Sequence, residues 1–260
     1  MSGDSAEPKA GLRSYVLSTL SIGVILIAWE SVARAKLVPE LFLPSVSAVL
    51  LALRDGIADR SLPIDLGVSL YRAFAGLLIA SVVGVAAGIA MARSALIRWF
   101  LDPFVSLAFP APKIAFLPIF VLWFGIDHLS KILLVAFTSV FPILIATYSA
   151  AISVNHLLIW SSLSLGSSQP MIMWRVILPA CYPQIFAAFR VAVPVALITA
   201  FTAEMVAGGR GMGSALMYSQ RFFESPTVFA YIVTMLAVGL VLDKAMLAIR
   251  DQFPSWRESN

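Results

Sequence analysis

Charge is what this 260-residue chain has least of: Asp, Glu, Lys and Arg make up 12% of it, against 60% hydrophobic residues. A soluble domain carries roughly twice that charged fraction, so a water-soluble fold and a disordered chain are both excluded. The single cysteine, Cys181, rules out an intramolecular disulfide scaffold and a cysteine metal cluster, and reads as a small buried hydrophobe. With two histidines, no paired carboxylates and no nucleophile beside a base, the chain offers no enzyme site. It also has no phosphate-binding loop: Gly208-Gly209-Arg210-Gly211-Met212-Gly213 is not followed by Lys-Ser/Thr. The net charge of +4 comes from bases scattered singly between apolar runs, which suits residues flanking a membrane and excludes a nucleic-acid surface.

What the chain has in abundance is long uncharged segments. A helix needs about 20 mostly apolar residues to cross the hydrocarbon, and six segments qualify: Ser14 to Trp29, Ala73 to Ala92, Pro103 to Ile126 interrupted by Lys113, Ile132 to about Ile152, Val176 to Ala203 interrupted by Arg190, and Ser225 to Leu242. The expected protein is all-α and polytopic, with six transmembrane helices. Asp4 and Glu7 and the lack of a small-residue cleavage site before Glu30 mark the first segment as a retained span and not a signal peptide. Lys and Arg are nearly balanced between the two sides of this arrangement, so charge alone does not orient it. We expect both termini to be cytoplasmic. Residues 1–65 then hold the tail, the first span and an external amphipathic helix starting at Pro44-Ser45; residues 66–252 form a core of five spans, and 253–260 a cytoplasmic tail.

Gly76, Ala80, Gly84 and Gly88 recur every four residues on one face of the second span, a spacing that lets helices approach closely in lipid. Packing within the chain is the plainer reading, ahead of a dimer seam. Pro112, Pro118 and Pro142 interrupt the third and fourth spans, and bent helices suit a gate or pore. Charges inside spans are the default functional candidates. Arg190 and Glu204, both in the fifth span, lie about 21 Å apart along a helix and do not pair with each other. Arg190 is expected to snorkel or bind carbonyls, and Glu204 to brace the Gly208–Gly213 loop or serve an outer gate. Asp127, His128 and Lys131 read as a solvated turn, too thin a set for a metal.

Between the fourth and fifth spans lies a polar interval, 155–183, far longer than a connector needs. It contains Ser161, Ser162, Ser164, Gly166, Ser167, Ser168, Gln169 and Pro170, then Met171, Ile172, Met173, Trp174 and Arg175, and closes with Val176-Ile177-Leu178-Pro179. Short helical patterning around a glycine suggests a folded segment that docks on something, with Met171, Met173 and Trp174 as its apolar contact. A glycine followed after nine residues by Ile-x-Leu-Pro resembles the coupling motif of ABC importer permeases; Trp160-Ser161-Ser162 stand where that motif has Glu-Ala-Ala. Pro112-Lys113-Ile114-Ala115-Phe116-Leu117-Pro118, Leu122-Trp123-Phe124-Gly125-Ile126, Phe141-Pro142-Ile143-Leu144 and Ala203-Glu204-Met205 followed by Gly211-Met212-Gly213 resemble the nitrate/sulfonate/taurine branch.

The resemblance implies the type I importer permease (MetI-like) fold in a bacterial inner membrane. It implies a pore subunit that moves a small solute inward by alternating access and carries no cofactor of its own. Two separate ATPase subunits would bind ATP and Mg, a second permease copy would complete the pore, and an extracytoplasmic binding protein would deliver a nitrate-, sulfonate- or taurine-like anion or a related small molecule. Ser161, Ser162, Gly166, Ser167, Ser168, Gln169, Met171, Trp174, Leu178 and Pro179 would form the ATPase-coupling surface, while membrane lipid would cover the spans. A secondary transporter or channel driven by an ion gradient is the rival class, disfavoured because neither inverted repeats nor intramembrane acid relays are present.

Overall fold

The computed structural model describes residues 12–252, with side chains from residue 20 onward. Among the described residues the chain is helical and has no strand: α1 (Leu12–Arg34), α2 (Val46–Ala58), α3 (Ser61–Arg93), α4 (Ala95–Ala108), α5 (Leu117–Phe124), α6 (His128–Ser153), α7 (His156–Ser164), α8 (Gln169–Ile172), α9 (Leu178–Ala207), α10 (Met212–Arg221) and α11 (Ser225–Asp251). Four continuous helical stretches are long and apolar enough to cross a membrane: α3, α6, α11, and α8 with α9 joined through a π-helical turn at Met173–Ile177. At 23 residues, α1 is also long enough, about 34 Å.

The third expected span is not one rod. α4 and the stretch Lys113–Phe124 meet at a bend of 99°, at a break where Pro110 and Pro112 remove backbone donors and α4 ends at Ala108. The bent pair still carries the chain from end to end of the bundle. It begins just after Arg93, which bonds Gln169, and finishes just before His128, which bonds Arg72. The second span also differs from expectation: α3 starts at Ser61, about three turns before Ala73, so Arg72 lies inside the helix and not at its border.

α6 forms the axis, with Ile132, Leu134, Val135, Phe141, Ile143 and Leu144 buried around its circumference. α3 and α9 lie against it through Leu77, Ala80, Val135, Ile143, Ala196, Leu197 and Ala200. α2 starts where Pro44-Ser45 predicts, Ser45 Oγ accepting from Ala48 N at 3.2 Å as an N-cap. It is tied to α1 by Trp29 Nε1 donating to the Pro44 carbonyl at 2.9 Å and Ser47 Oγ donating to Glu30 at 2.8 Å.

Candidate functional site

The two ends of the bundle are built on opposite rules. At the end where α9 turns into α10, charged side chains are turned inward. Glu204 is fully buried and Arg72 is 2% exposed. Arg72 Nη1 donates to Glu204 Oε1 at 2.7 Å and also to the Arg210 carbonyl, while its Nε reaches His128 Nδ1 at 3.3 Å. The other carboxylate oxygen of Glu204 accepts from Ser69 Oγ at 2.7 Å and from Gly213 N at 3.0 Å, and Ser69 Oγ in turn accepts from Met212 N at 2.9 Å. A buried ion pair is tolerable only when its remaining lone pairs and protons are satisfied, and here both carboxylate oxygens are.

In the Asp127-His128-Lys131 turn, expected to be solvated, Asp127 and His128 are exposed as expected and Lys131 is the correction. Lys131 is fully buried. Its Nζ donates to the Ile126 carbonyl at 2.9 Å and to the Gly208 carbonyl at 2.6 Å, so it fastens the α5–α6 turn to the end of α9. His128 accepts from Arg72 and lies edge-on to Tyr71. Carbonyl oxygens made available where α5 and α9 end satisfy this ammonium in place of water. The loop closes tightly over the network: a side chain at Gly211, where φ is +124°, would come within 2.5 Å of the Glu204 carboxylate, and one at Gly213 would strike the Phe201 carbonyl.

The other end turns apolar side chains outward. α7 stops in a Schellman geometry, with Gly166 N donating to Leu163 O at 2.9 Å and Ser167 N to Ser162 O at 3.0 Å. That geometry places Gly166 in the left-handed region, φ +81°, which is why glycine occupies it. On either side, Leu157, Leu158, Trp160, Leu165, Met171 and Trp174 are exposed, Leu165 by 86%. Ser161, Ser168, Gln169 and Pro179 are exposed as well, and Ser162, Ser167 and Leu178 half-buried. Met173 departs from the expected contact surface. It packs inward beside Ile172, Ile177 and Cys181, because neighbouring residues on a helix point about 100° apart. The helical segment also starts earlier than Ser161, at His156, where Asn155 caps α7 by accepting from Leu157 N at 2.9 Å. Arg93 at the end of α3 donates to Gln169 Oε1 at 2.6 Å.

Residues 80–251 match the family model of the binding-protein-dependent transport system inner membrane component. The chain belongs to that family. It is 33% identical to the taurine transport system permease protein TauC of Escherichia coli, over 94% of this chain and 90% of that one. It is 29% identical to a putative aliphatic sulfonates transport permease protein SsuC of Bacillus subtilis, over 98% and 94%. A permease chain in crystals of the MetNI methionine ABC transporter superposes with a TM-score of 0.66 at 14% identity, covering 74% of this chain and 95% of that one, a likeness in fold alone. The permease is therefore the pore subunit of an ABC importer, a multi-pass inner-membrane protein and not an enzyme. Such subunits work with ATPase and substrate-binding partners.

Within the permease, the small-residue stripe of α3 is placed against α6. A side chain at Gly76 would come within 2.7 Å of the Ile132 carbonyl, at Gly88 within 2.7 Å of the Leu144 carbonyl, and at Gly84 within 3.0 Å of the Val140 carbonyl; Ala80 is 1% exposed in the same seam. Pro112 and Pro118 bracket the break between α4 and α5, and Pro142 lies inside α6. Glu204 is not grouped with them, since its carboxylate is occupied by the buried network. Arg190, exposed, has a partner the sequence did not suggest: its Nε meets Asp243 Oδ1 of α11 at 3.3 Å. Sequence reading missed Ser69, Arg72 and Asp243, and took Lys131 for part of a solvated turn. Arg72 had served only as the border of an apolar run, and the one available signal was that it lies within helical register of that run.

Proposed function

We propose that two identical copies of this permease form the pore, that two ABC ATPase subunits binding ATP and Mg dock on the loop around Gly166, and that an extracytoplasmic binding protein delivers the solute at the Gly208 end. The Gly166 loop and both termini are then cytoplasmic. The solute is a small sulfonate- or nitrate-like anion, in keeping with the taurine and sulfonate relatives. ATP-driven closure of the ATPases pushes the loop, and the bundle rocks between inward- and outward-open states. The core from α3 to α11 is the unit that rocks, with the segment up to residue 65 as a peripheral anchor.

The observation that carries this reading is the exposed apolar rim of Leu157, Leu158, Trp160, Leu165, Met171 and Trp174 around a Schellman-capped glycine. A patch of this kind marks a protein contact. Cysteines introduced at Ser167 or Gln169 should cross-link to a co-purifying ATPase subunit. Labelling of those cysteines only from outside the cell, or undiminished transport after the loop is replaced by a Gly/Ser linker, would overturn the assignment.

A further inference from the structure

A cleft of about 310 Å³ opens beside the α9–α10 elbow, lined by Val206, Gly208, Gly209, Met217, Tyr218 and Arg221 among others. Its volume is at the low end of the range for small-molecule pockets, roughly 300–1,000 Å³. Tyr218 and Arg221 lie three residues apart on α10 and so share a face. Arg221 is exposed and makes no ion pair among the described residues.

The backbone on the opposite wall is oriented by the buried network. Lys131 Nζ draws the Gly208 carbonyl inward at 2.6 Å. In a planar trans peptide the next N–H points the opposite way, so the Gly209 N–H is directed away from Lys131 and has no backbone acceptor among the described residues. Behind that peptide, two buried cations, Arg72 and Lys131, face one buried carboxylate, Glu204, and Asp127 is exposed to solvent. The wall of the cleft is thus backed by positive charge, with a donor directed away from it and a free guanidinium and a phenol opposite.

We propose that this cleft binds the oxyanion group of the transported solute, a sulfonate or similar small organic anion, before it enters the pore, with Arg221, Tyr218 and the Gly209 N–H as its donors. The proposal rests on the importer reading above and deepens it by placing a specificity-determining site on the permease itself. Low-dielectric walls that carry one sign of charge concentrate the opposite ion.

The test uses the assembled complex in phosphatidylcholine vesicles. Cys181 is buried, so a Tyr218→Cys thiol is the reporter, titrated with an anionic and a cationic methanethiosulfonate. The expected result is a preference for the anionic reagent of about tenfold, abolished by adding Arg221→Gln, kept by Arg221→Lys, and competed by taurine or ethanesulfonate. Arg221→Gln should also lower sulfonate uptake while ATP hydrolysis stimulated by loaded binding protein continues. Equal rates for the two reagents, or a preference indifferent to Arg221→Gln, would overturn the site. So would protection that requires phosphatidylglycerol, which would make the ligand a lipid headgroup, or loss of binding-protein docking in Arg221→Gln, which would make Arg221 a protein contact. Wild-type complex that hydrolyses ATP without accumulating any sulfonate would sink the substrate reading separately, because the thiol measurement needs no transport.

Discussion

The Gly208 end and the Gly166 end of the bundle use the same scarce polar groups in opposite ways. At the Gly208 end Ser69, Arg72, Lys131 and Glu204 are buried and satisfied by one another and by carbonyls. At the Gly166 end Trp160, Leu165 and Trp174 face outward while Ser161 and Gln169 stay at the surface. The first arrangement completes itself within one chain and holds three helices and a loop in fixed register. The second exposes apolar side chains on either side of a capped glycine. Within one permease, then, the Gly208 end is stiffened by a buried polar network, and the Gly166 end presents exposed apolar side chains.

The comparison predicts unequal consequences of mutation. The largest effect should come from Glu204→Ala, which strands Arg72 in the interior; breaking a buried pair costs about 3–5 kcal/mol. A fall in the melting temperature of the detergent-solubilised protein measures it, and a melting temperature equal to wild type would mean the network does not hold the end together. Next, Gly76→Leu and Gly84→Leu should each destabilise the α3–α6 seam by about 1–3 kcal/mol and impair assembly, Gly76 more because its neighbours lie closer. Equal and unimpaired assembly of both variants contradicts the seam.

Gly166→Val should cost about 1–2 kcal/mol of local strain, since the backbone is left-handed there but nothing lies within 4 Å of the added carbon. The expected readout is the inverse of the Glu204 case: spans and substrate delivery intact, ATP hydrolysis uncoupled from uptake. Retained coupling would break the contrast between the two ends. The smallest effect belongs to Arg93→Ala, which removes one exposed charged hydrogen bond to Gln169, worth about 0–0.5 kcal/mol at the surface. A slight loss of coupling with an unchanged melting temperature is the expected pattern, and a large drop in melting temperature would show that the Gly166 end is as internally braced as the other.

Much of this was legible in the sequence. Long uncharged runs yielded α6, α9 and α11, because exclusion of charge from hydrocarbon is a local rule that each segment obeys alone. The serine-rich interval with Gly166 disclosed a folded loop, since a helix-ending glycine followed by a proline carries its own geometry. The same locality misled where Arg72 and Lys131 were concerned. A base at the edge of an apolar run looks like a border, and only a partner 132 residues away in sequence, Glu204 for Arg72, turns it into an interior residue. Pro110 and Pro112 announced a disturbance in the third span without its size, because a 99° bend depends on what α5 finds to pack on, here Phe137 and Leu134 of α6.

The sequence by itself determined that this is a helical membrane protein of the importer-permease kind, where its long apolar helices run, and where a folded polar loop interrupts them. Those properties follow from composition, periodicity and capping, all of which act over a few residues. The tertiary structure alone decided which charges are buried, which face of α3 meets α6, and which side chains around Gly166 remain uncovered. Burial and ion pairing are properties of residues brought together from distant parts of the chain, and no local pattern encodes the neighbour that makes a buried charge stable.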